Sequence, residues 1–272
     1  MNAIARYGVR LANPPGDAVE EAAESLRLLG YALVDSGLDA AAIERLRARF
    51  DALRAAQRAR FGAERLARIG EADMIRCPLA EEAEFLALAA NPVILALCER
   101  MMGPGFILNQ QNGIVNPAHT AQYAQSPYHR DLPYQHYVSS RPLAINALFC
   151  LDPFTTENGA TRVIPASHKE EAFPSEALIR REERQVTAPA GHFIVLDCMA
   201  FHGGGQNRTG QDRRAVNHVY TIAHMRQQID LPALLGEGFT VEPKLRQLLG
   251  FQHPQPRSIE EYLAQRERKA GN

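Results

Sequence analysis

Between residues 105 and 226 the chain is cut into short apolar runs, FILNQQ, LAINALFCLD, ATRVIPA, GHFIVLD and AVNHVYTIAH, each bounded by Gly, Pro, Asn or Asp. Many short strands at close spacing predict a β-sandwich or barrel rather than βαβ units. The flanks differ. Residues 17–104 read as helical: Asp17 is placed to cap AVEEAAESLRLLG, which stops at Gly30. YALVDS (31–36) is a short strand. Ile43, Leu46, Phe50 and Leu53 then fall at alternating spacings of three and four, one face of an amphipathic helix. NPVILALCERMMGPG is a further helix, with Pro92 in its first turn and Gly103-Pro104 as its stop. Residues 227–272 read as a helical tail broken at HPQPRS, covering one end of the barrel or contacting a second copy in a homodimer.

Composition excludes several classes. A formal net charge of −1 provides no basic field for nucleic acid or anionic lipid. The four cysteines are far apart in apolar contexts and form no C-x-x-C pair, as expected of buried free thiols in a reducing cytoplasm. The first seventeen residues have no continuous apolar region of the secretory kind, and the most apolar stretch, FLALAANPVILALC, is interrupted at Asn91-Pro92. The expectation is a soluble, cytoplasmic protein of one domain over 1–272, acting on a small molecule.

Residues 129–132, His-Arg-Asp-Leu, match the catalytic loop of a protein kinase, but the rest of that signature is missing. The position five after the aspartate, where a kinase needs Asn, is His136, and no D-F-G, V-A-I-K or G-x-G-x-x-G accompanies it. Alternate residues of a strand share a face, so His129 and Asp131 can offer an imidazole and a carboxylate to one ion while Arg130 turns away. An H-x-D triplet alone is a weak signal. A third ligand candidate, His202, follows an apolar strand in a Gly-rich turn, and Arg213-Arg214 opens the next strand. Two His and one Asp form the facial triad of non-haem Fe(II) oxygenases. A buried Arg is best matched by a bidentate carboxylate.

These stretches resemble the phytanoyl-CoA dioxygenase family of Fe(II)/2-oxoglutarate-dependent oxygenases. H-x-D at 129–131 is similar to the family's proximal ligand pair. ENGATRVIPASHK (157–169) resembles its N-G…P-G-S-H segment, with Ala166 in place of the usual Gly. HGGGQNRTGQDRR (202–214) resembles its distal H-G…N…R element, and GYALVD near the start is also family-like. The resemblance implies a mainly β fold with added helices: a double-stranded β-helix (jelly-roll, cupin-like) core, N-terminal helices and a C-terminal helical tail. It implies Fe(II) held by His129, Asp131 and His202, with 2-oxoglutarate and O2 consumed and succinate and CO2 released as an unactivated C–H bond is hydroxylated. Family spacing assigns the 2-oxoglutarate anchor to Arg213 rather than Arg214, and a hydrogen bond to the co-substrate to Thr161. Asp131 itself argues against halogenation, since related halogenases carry a small residue there.

Gln110, Gln111 and Asn146, on strands flanking the ligand segment, can line the same cavity, with Gln111 and Asn146 taken as co-substrate contacts. Tyr134 and His136, just beyond the ligand pair, are expected to touch the substrate, and GEADMIRCP (70–78) to form a facing lid. Ser167, His168 and Asn207 are expected to support turns. The remaining histidines, including His218, have no motif partner. The absence of Trp disfavours ectoine hydroxylase, and the lack of a basic cluster disfavours phytanoyl-CoA itself. A small metabolite or natural-product intermediate is the expected substrate. Two other readings stay open: a binding or sensing protein on the same scaffold, and a cupin-type iron enzyme that does not use 2-oxoglutarate.

Overall fold

The structure, a computed structural model, describes residues 14–132 and 137–270. Helix α1 (Ala18–Leu29) starts at Asp17, whose carboxylate accepts from the Glu20 amide at 2.8 Å, and ends at Gly30 in the left-handed conformation. Strand β1 (Tyr31–Asp35) leads to α2 (Ala40–Phe61), which buries Ile43, Leu46, Phe50 and Leu53 as their spacing requires. After α3 (Ala63–Arg68) and β2 (Met74–Arg76) come α4 (Ala83–Ala89) and α5 (Pro92–Met102). Ala83–Met102 is apolar and long enough to cross a membrane by composition, but Asn91 divides it, capping α5 through the Val93 amide. Phe85, Leu88, Ile94 and Leu97 from its two halves lie in the core.

The β region comprises β3 (Phe106–Asn116), β4 (Ala144–Cys150), β5 (Thr161–Val163), β6 (Arg184–Val186), β7 (His192–Asp197), β8 (His202–Gly203) and β9 (Arg213–Ile222), with α6 (Glu176–Glu182) before β6. A six-stranded sheet runs β1-β7-β4-β9-β3-β2 and a three-stranded sheet β6-β5-β8, all pairs antiparallel. Their inner faces pack together through Ile114, Leu148, Ile194, Leu196 and Ala215 of the larger sheet and Val163 and Val186 of the smaller. This is the jelly roll expected from the sequence.

The outer face of the larger sheet carries the helices. Leu108, Val115, Phe149, Phe193, Val195, Val216 and Tyr220 join one apolar core with the buried residues of α1, α2, α4 and α5. Alternation along β9 therefore sends Val216, His218 and Tyr220 toward the helices and leaves Arg213, Ala215 and Asn217 facing inward. Both faces are buried, and the strand carries polar Asn217 and His218 among Ala215, Val216, Val219 and Tyr220.

Two expectations are corrected here. Residues 70–78 are not a lid: β2 is the edge strand beside β3, Ile75 is fully buried, and Gln57 of α2 clamps the Arg76 backbone by donating to its carbonyl (2.8 Å) and accepting from its amide (2.9 Å). The tail comprises α7 (Leu231–Leu235), α8 (Pro243–Leu248) and α9 (Ile259–Ala270); Leu231, Leu248, Leu249 and Phe251 join the core of the helical layer instead of covering the barrel end, and no described residue of α9 is buried.

Gln111 belongs to that helical side. Its Oε1 accepts from the Leu79 amide at 2.8 Å, and its Nε2 donates to the Phe85 carbonyl at 2.7 Å and lies 2.9 Å from His218 Nε2. His218 Nδ1 sits 3.0 Å from the Ala147 carbonyl, which only accepts, so the proton is on Nδ1 and Nε2 accepts from Gln111. Burial pushes the His218 pKa down to about 4, against the pull of the Ala147 and Val216 backbone. The native state thus holds this ring neutral while the unfolded chain protonates it near 6.5. Its contribution to stability is complete above that value and is lost as pH falls toward 4. Between pH 7 and pH 5 the wild type should lose roughly 2 kcal/mol more than His218→Gln, measured by denaturant titration at both values. Equal losses would show that His218 titrates normally in the native state.

Candidate metal centre and its cavity

Three backbone hydrogen bonds hold the ligand segments together. His129 and His202 form an antiparallel bridge, with N–H···O distances of 2.9 and 3.1 Å, and the Asp131 amide donates to the Cys198 carbonyl at 3.0 Å. The imidazole rings lie 4.4 Å apart, and one ligand atom from each of His129, Asp131 and His202 falls within 4.8 Å of the others. Asp131 Oδ1 is 3.8 Å from His129 Nε2 and 3.6 Å from His202 Nε2. Such distances suit three donors around one ion better than direct ion pairs.

The other atom of each group is occupied. His129 Nδ1 is 2.8 Å from the Pro127 carbonyl and His202 Nδ1 is 3.0 Å from the Ala200 carbonyl. A carbonyl can only accept, so both Nδ1 atoms carry protons and both Nε2 lone pairs face the centre. Asp131 Oδ2 accepts from Asn146 Nδ2 at 2.7 Å, leaving Oδ1 for a metal. Burial holds the His202 imidazole below the usual histidine range, and His129 adds to this; the Asp131 carboxylate and the Ala200 carbonyl oppose it. A neutral imidazole is the form that ligates.

Arg130, between the ligands, turns away as strand alternation predicts. Its Nε donates to the Met199 carbonyl at 2.7 Å, and its Nη atoms to the carbonyls of Ser167, Glu170 and Glu171. The guanidinium lies 3.9 Å from the Phe201 ring centroid. It thereby ties the 167–171 turn to both ligand segments. Ser167 donates to the Ile164 carbonyl and accepts from the Phe201 amide, and His168 Nε2 lies 3.2 Å from the Arg27 carbonyl. Ala166 adopts the left-handed conformation, φ 62°, which accounts for the glycine usual in the family motif. Asn207 donates to the Asn116 and Gln211 carbonyls and accepts from the backbone and hydroxyl of Thr209.

A partly open cavity extends from the three ligands to Arg213, with about 430 Å³ of empty space that includes the solvent at its mouth. Thr161, Asn146 and Asn217 line it beside apolar Ile114, Leu148, Leu196 and Ala215. Arg213 is 2% exposed and stacks 3.9 Å over the Phe154 ring. It donates to the Gly159 carbonyl and, at 3.2 Å, to the Tyr123 hydroxyl, while its Nε has no partner. Among the described residues no carboxylate pairs with it. Arg214 does the opposite: on the outer face it makes a bidentate pair with Asp152 (2.9 and 2.8 Å) and reaches Asp51 at 2.7 Å.

Of the residues singled out from the sequence, His129, Asp131, His202, Arg213, Thr161 and Asn146 share this cavity. Asn146 contacts a ligand rather than waiting for the co-substrate. Gln111 does not reach the cavity, because alternation on β3 puts it on the helical face. Tyr134 and His136 lie outside the described residues. Tyr123, Gln125, Phe154 and Asn217 were not anticipated. Asn217 was accessible from the strand period, four residues beyond Arg213; Tyr123 lies in an irregular loop and enters only because Gly204 leaves room, a Cβ there falling 2.1 Å from its hydroxyl.

A family model described as phytanoyl-CoA dioxygenase matches residues 26–215. An uncharacterised protein of Mycobacterium tuberculosis is 32% identical over 251 residues, 90% of this chain and 91% of that protein. The iron/alpha-ketoglutarate-dependent dioxygenase penM of Penicillium thymicola is 31% identical over 137 residues, 46% of this chain and 42% of its own length. Among solved structures, EctD from S. alaskensis, determined with 2-oxoglutarate and 5-hydroxyectoine, superposes with a TM-score of 0.64 at 22% identity, covering 80% of this chain and 81% of that one. The last likeness is one of fold.

Replacing Asn146 by Leu frees Asp131 Oδ2 to rotate while leaving all three ligands in place. Affinity for Fe(II) or Mn(II), measured by calorimetry, should fall by on the order of 10–100-fold, and Asp131→Ala should abolish it. Unchanged affinity in Asn146→Leu would show that the carboxylate is held by other means.

Proposed function

The chain belongs to the phytanoyl-CoA dioxygenase family, and on that premise we propose that it hydroxylates an unactivated C–H bond of a small molecule. It is an Fe(II)- and 2-oxoglutarate-dependent dioxygenase. The residues present fit both groups. His129, Asp131 and His202 would hold the iron through three converging ligand atoms, a donor set that suits Fe(II) and would leave it room for co-substrate and O2. Arg213 carries the co-substrate assignment: a buried guanidinium with an unpartnered Nε and no carboxylate of its own is a site for an external one. When bound, iron and 2-oxoglutarate activate O2, the co-substrate being oxidised to succinate and CO2 as one oxygen atom enters the substrate C–H bond.

The chain's own groups bind and orient. Arg213 grips the distal carboxylate, held in its pose by Phe154 and the Gly159 carbonyl. The Tyr123 hydroxyl, already accepting from Arg213 Nη2, keeps its own proton to donate to the same carboxylate. Thr161, buried on β5, presents its hydroxyl to the co-substrate from the opposite wall. Ile114, Leu148, Leu196 and Ala215 keep water from the body of the molecule, which strengthens each of these contacts. Tyr134 and His136 remain in the proposal as substrate contacts following the ligand segment.

Losing a buried charge partner costs roughly 3–5 kcal/mol, so Arg213→Ala should raise the KM for 2-oxoglutarate by on the order of 100-fold or more. Arg213→Lys should recover part of this, because a point charge does not reproduce the guanidinium fork. Arg214→Ala should lower thermal stability and leave that KM alone. Succinate formation measured across the three variants decides the matter; a crippled Arg214→Ala with a normal Arg213→Ala would refute the assignment.

A further inference from the structure

Three carboxamides stand on the inner faces of adjacent strands, two of them in the cavity of the metal centre, and all three have an oxygen without a partner. They are Asn146 on β4, Asn217 on β9 and Asn112 on β3, exposed by 3%, 7% and 3%. Asn217 stands directly opposite Asn112, and opposite Leu148 of β4, two positions along from Asn146. Asn146 and Asn217 line the cavity that holds the three ligands.

The orientation of two of these groups is set by what they already touch. Asn146 Nδ2 donates to the Asp131 carboxylate, which only accepts, so the free atom is Oδ1. Asn112 Nδ2 donates to Gln228 Oε1 at 3.2 Å, leaving its Oδ1 unpaired as well. Buried acceptors left unpaired are costly, so a ligand that fits here supplies donors. 2-Oxoglutarate cannot. Both of its carboxylates and its ketone are acceptors, and its anchor is Arg213 at the far end of the cavity.

Charge narrows the donor further. Among the cavity-lining residues the charged or titratable groups are His129, Asp131, His202, Arg213 and Tyr123. Metal and co-substrate engage them all, so among the described residues no free carboxylate is left to match an ammonium and no free cation to match an acid. We propose that the group this enzyme oxidises belongs to a neutral molecule rich in hydroxyl or amide N–H groups, docked on the carboxamide oxygens of Asn146 and Asn217. The proposal rests on the 2-oxoglutarate-dependent reading of the site. It sets a polyol, sugar or amide apart from a long acyl chain, an amine or a free acid.

The test is a turnover panel on the iron-loaded protein: monosaccharides and polyols, N-acyl amides, alkylamines, carboxylic acids and long-chain acyl thioesters. Succinate formation without any added compound is measured first. Its absence would sink the parent reading and this proposal with it, whereas its presence isolates the question of substrate class. Hydroxyl- or amide-bearing compounds should raise the rate at least about tenfold, sugars and amides being separate arms. For the best of them Asn217→Leu should raise KM about tenfold or more, while Asn217→Asp, which keeps an acceptor oxygen, should bind it nearly as the wild type does. Calorimetric titration of the same compound into oxygen-free, manganese-loaded protein with 2-oxoglutarate should show the same loss. The proposal is overturned if no neutral donor-bearing compound stimulates, if amines, acids or acyl thioesters stimulate more, or if binding survives Asn217→Leu. Should the Leu variant fail to fold, the panel on the wild type and Asn217→Asp still decides it.

Discussion

Strand β9 carries the constraint on which the rest depends. It pairs with β4 on one side and β3 on the other, and both of its faces are buried. Its period of two therefore divides its side chains between two chemistries: Val216, His218 and Tyr220 enter the helix-packed core, while Arg213, Ala215 and Asn217 face the cavity. A shift of one residue would bury Arg214 beside the metal and force Arg213 among the helices. The register is pinned from outside, because Asp152 and Asp51 satisfy Arg214 where it stands. Carboxylates that never approach the active centre thus stabilise the register in which the strand ladder places the anchor.

Buried polar groups mark the division between scaffold and site. Arg130, Asn207 and Gln111 are nearly inaccessible, yet each is hydrogen-bonded within the protein, largely to backbone groups of segments distant in sequence. Arg213 and the inner-face carboxamides are just as buried but keep atoms unpaired. Burial alone does not separate the two kinds. What separates them is whether the protein itself completes their hydrogen bonding.

The metal ligands show how local and distant contributions combine. The two-residue spacing of His129 and Asp131 aims both side chains one way, and a carbonyl two residues before each histidine, Pro127 and Ala200, sets its tautomer. Those are short-range effects. Bringing His202 beside His129 requires the antiparallel bridge between segments more than seventy residues apart in the chain, and Arg130 fastens that junction to the 167–171 turn.

The sequence alone determined what local physics dictates: the α1 caps at Asp17 and Gly30, the buried face of α2, the break at Asn91-Pro92, the short strands, and the ligand types in their order. It could state that Arg213 and Arg214 face opposite ways but not, from the strand period alone, which way is in. That required knowing which face of β9 meets the helices. Gln111 was misplaced for the same reason, since a polar residue on a strand buried on both sides can serve either layer, and only the positions of Leu79, Phe85 and His218 decide. Residues 70–78 carried no apolar run long enough to announce a strand; β2 exists because β3 offers it a free edge and Gln57 grips its backbone. Tyr123 and Phe154 became part of the site through contact with Arg213, and contact between residues so far apart is decided only when the two sheets close on one another.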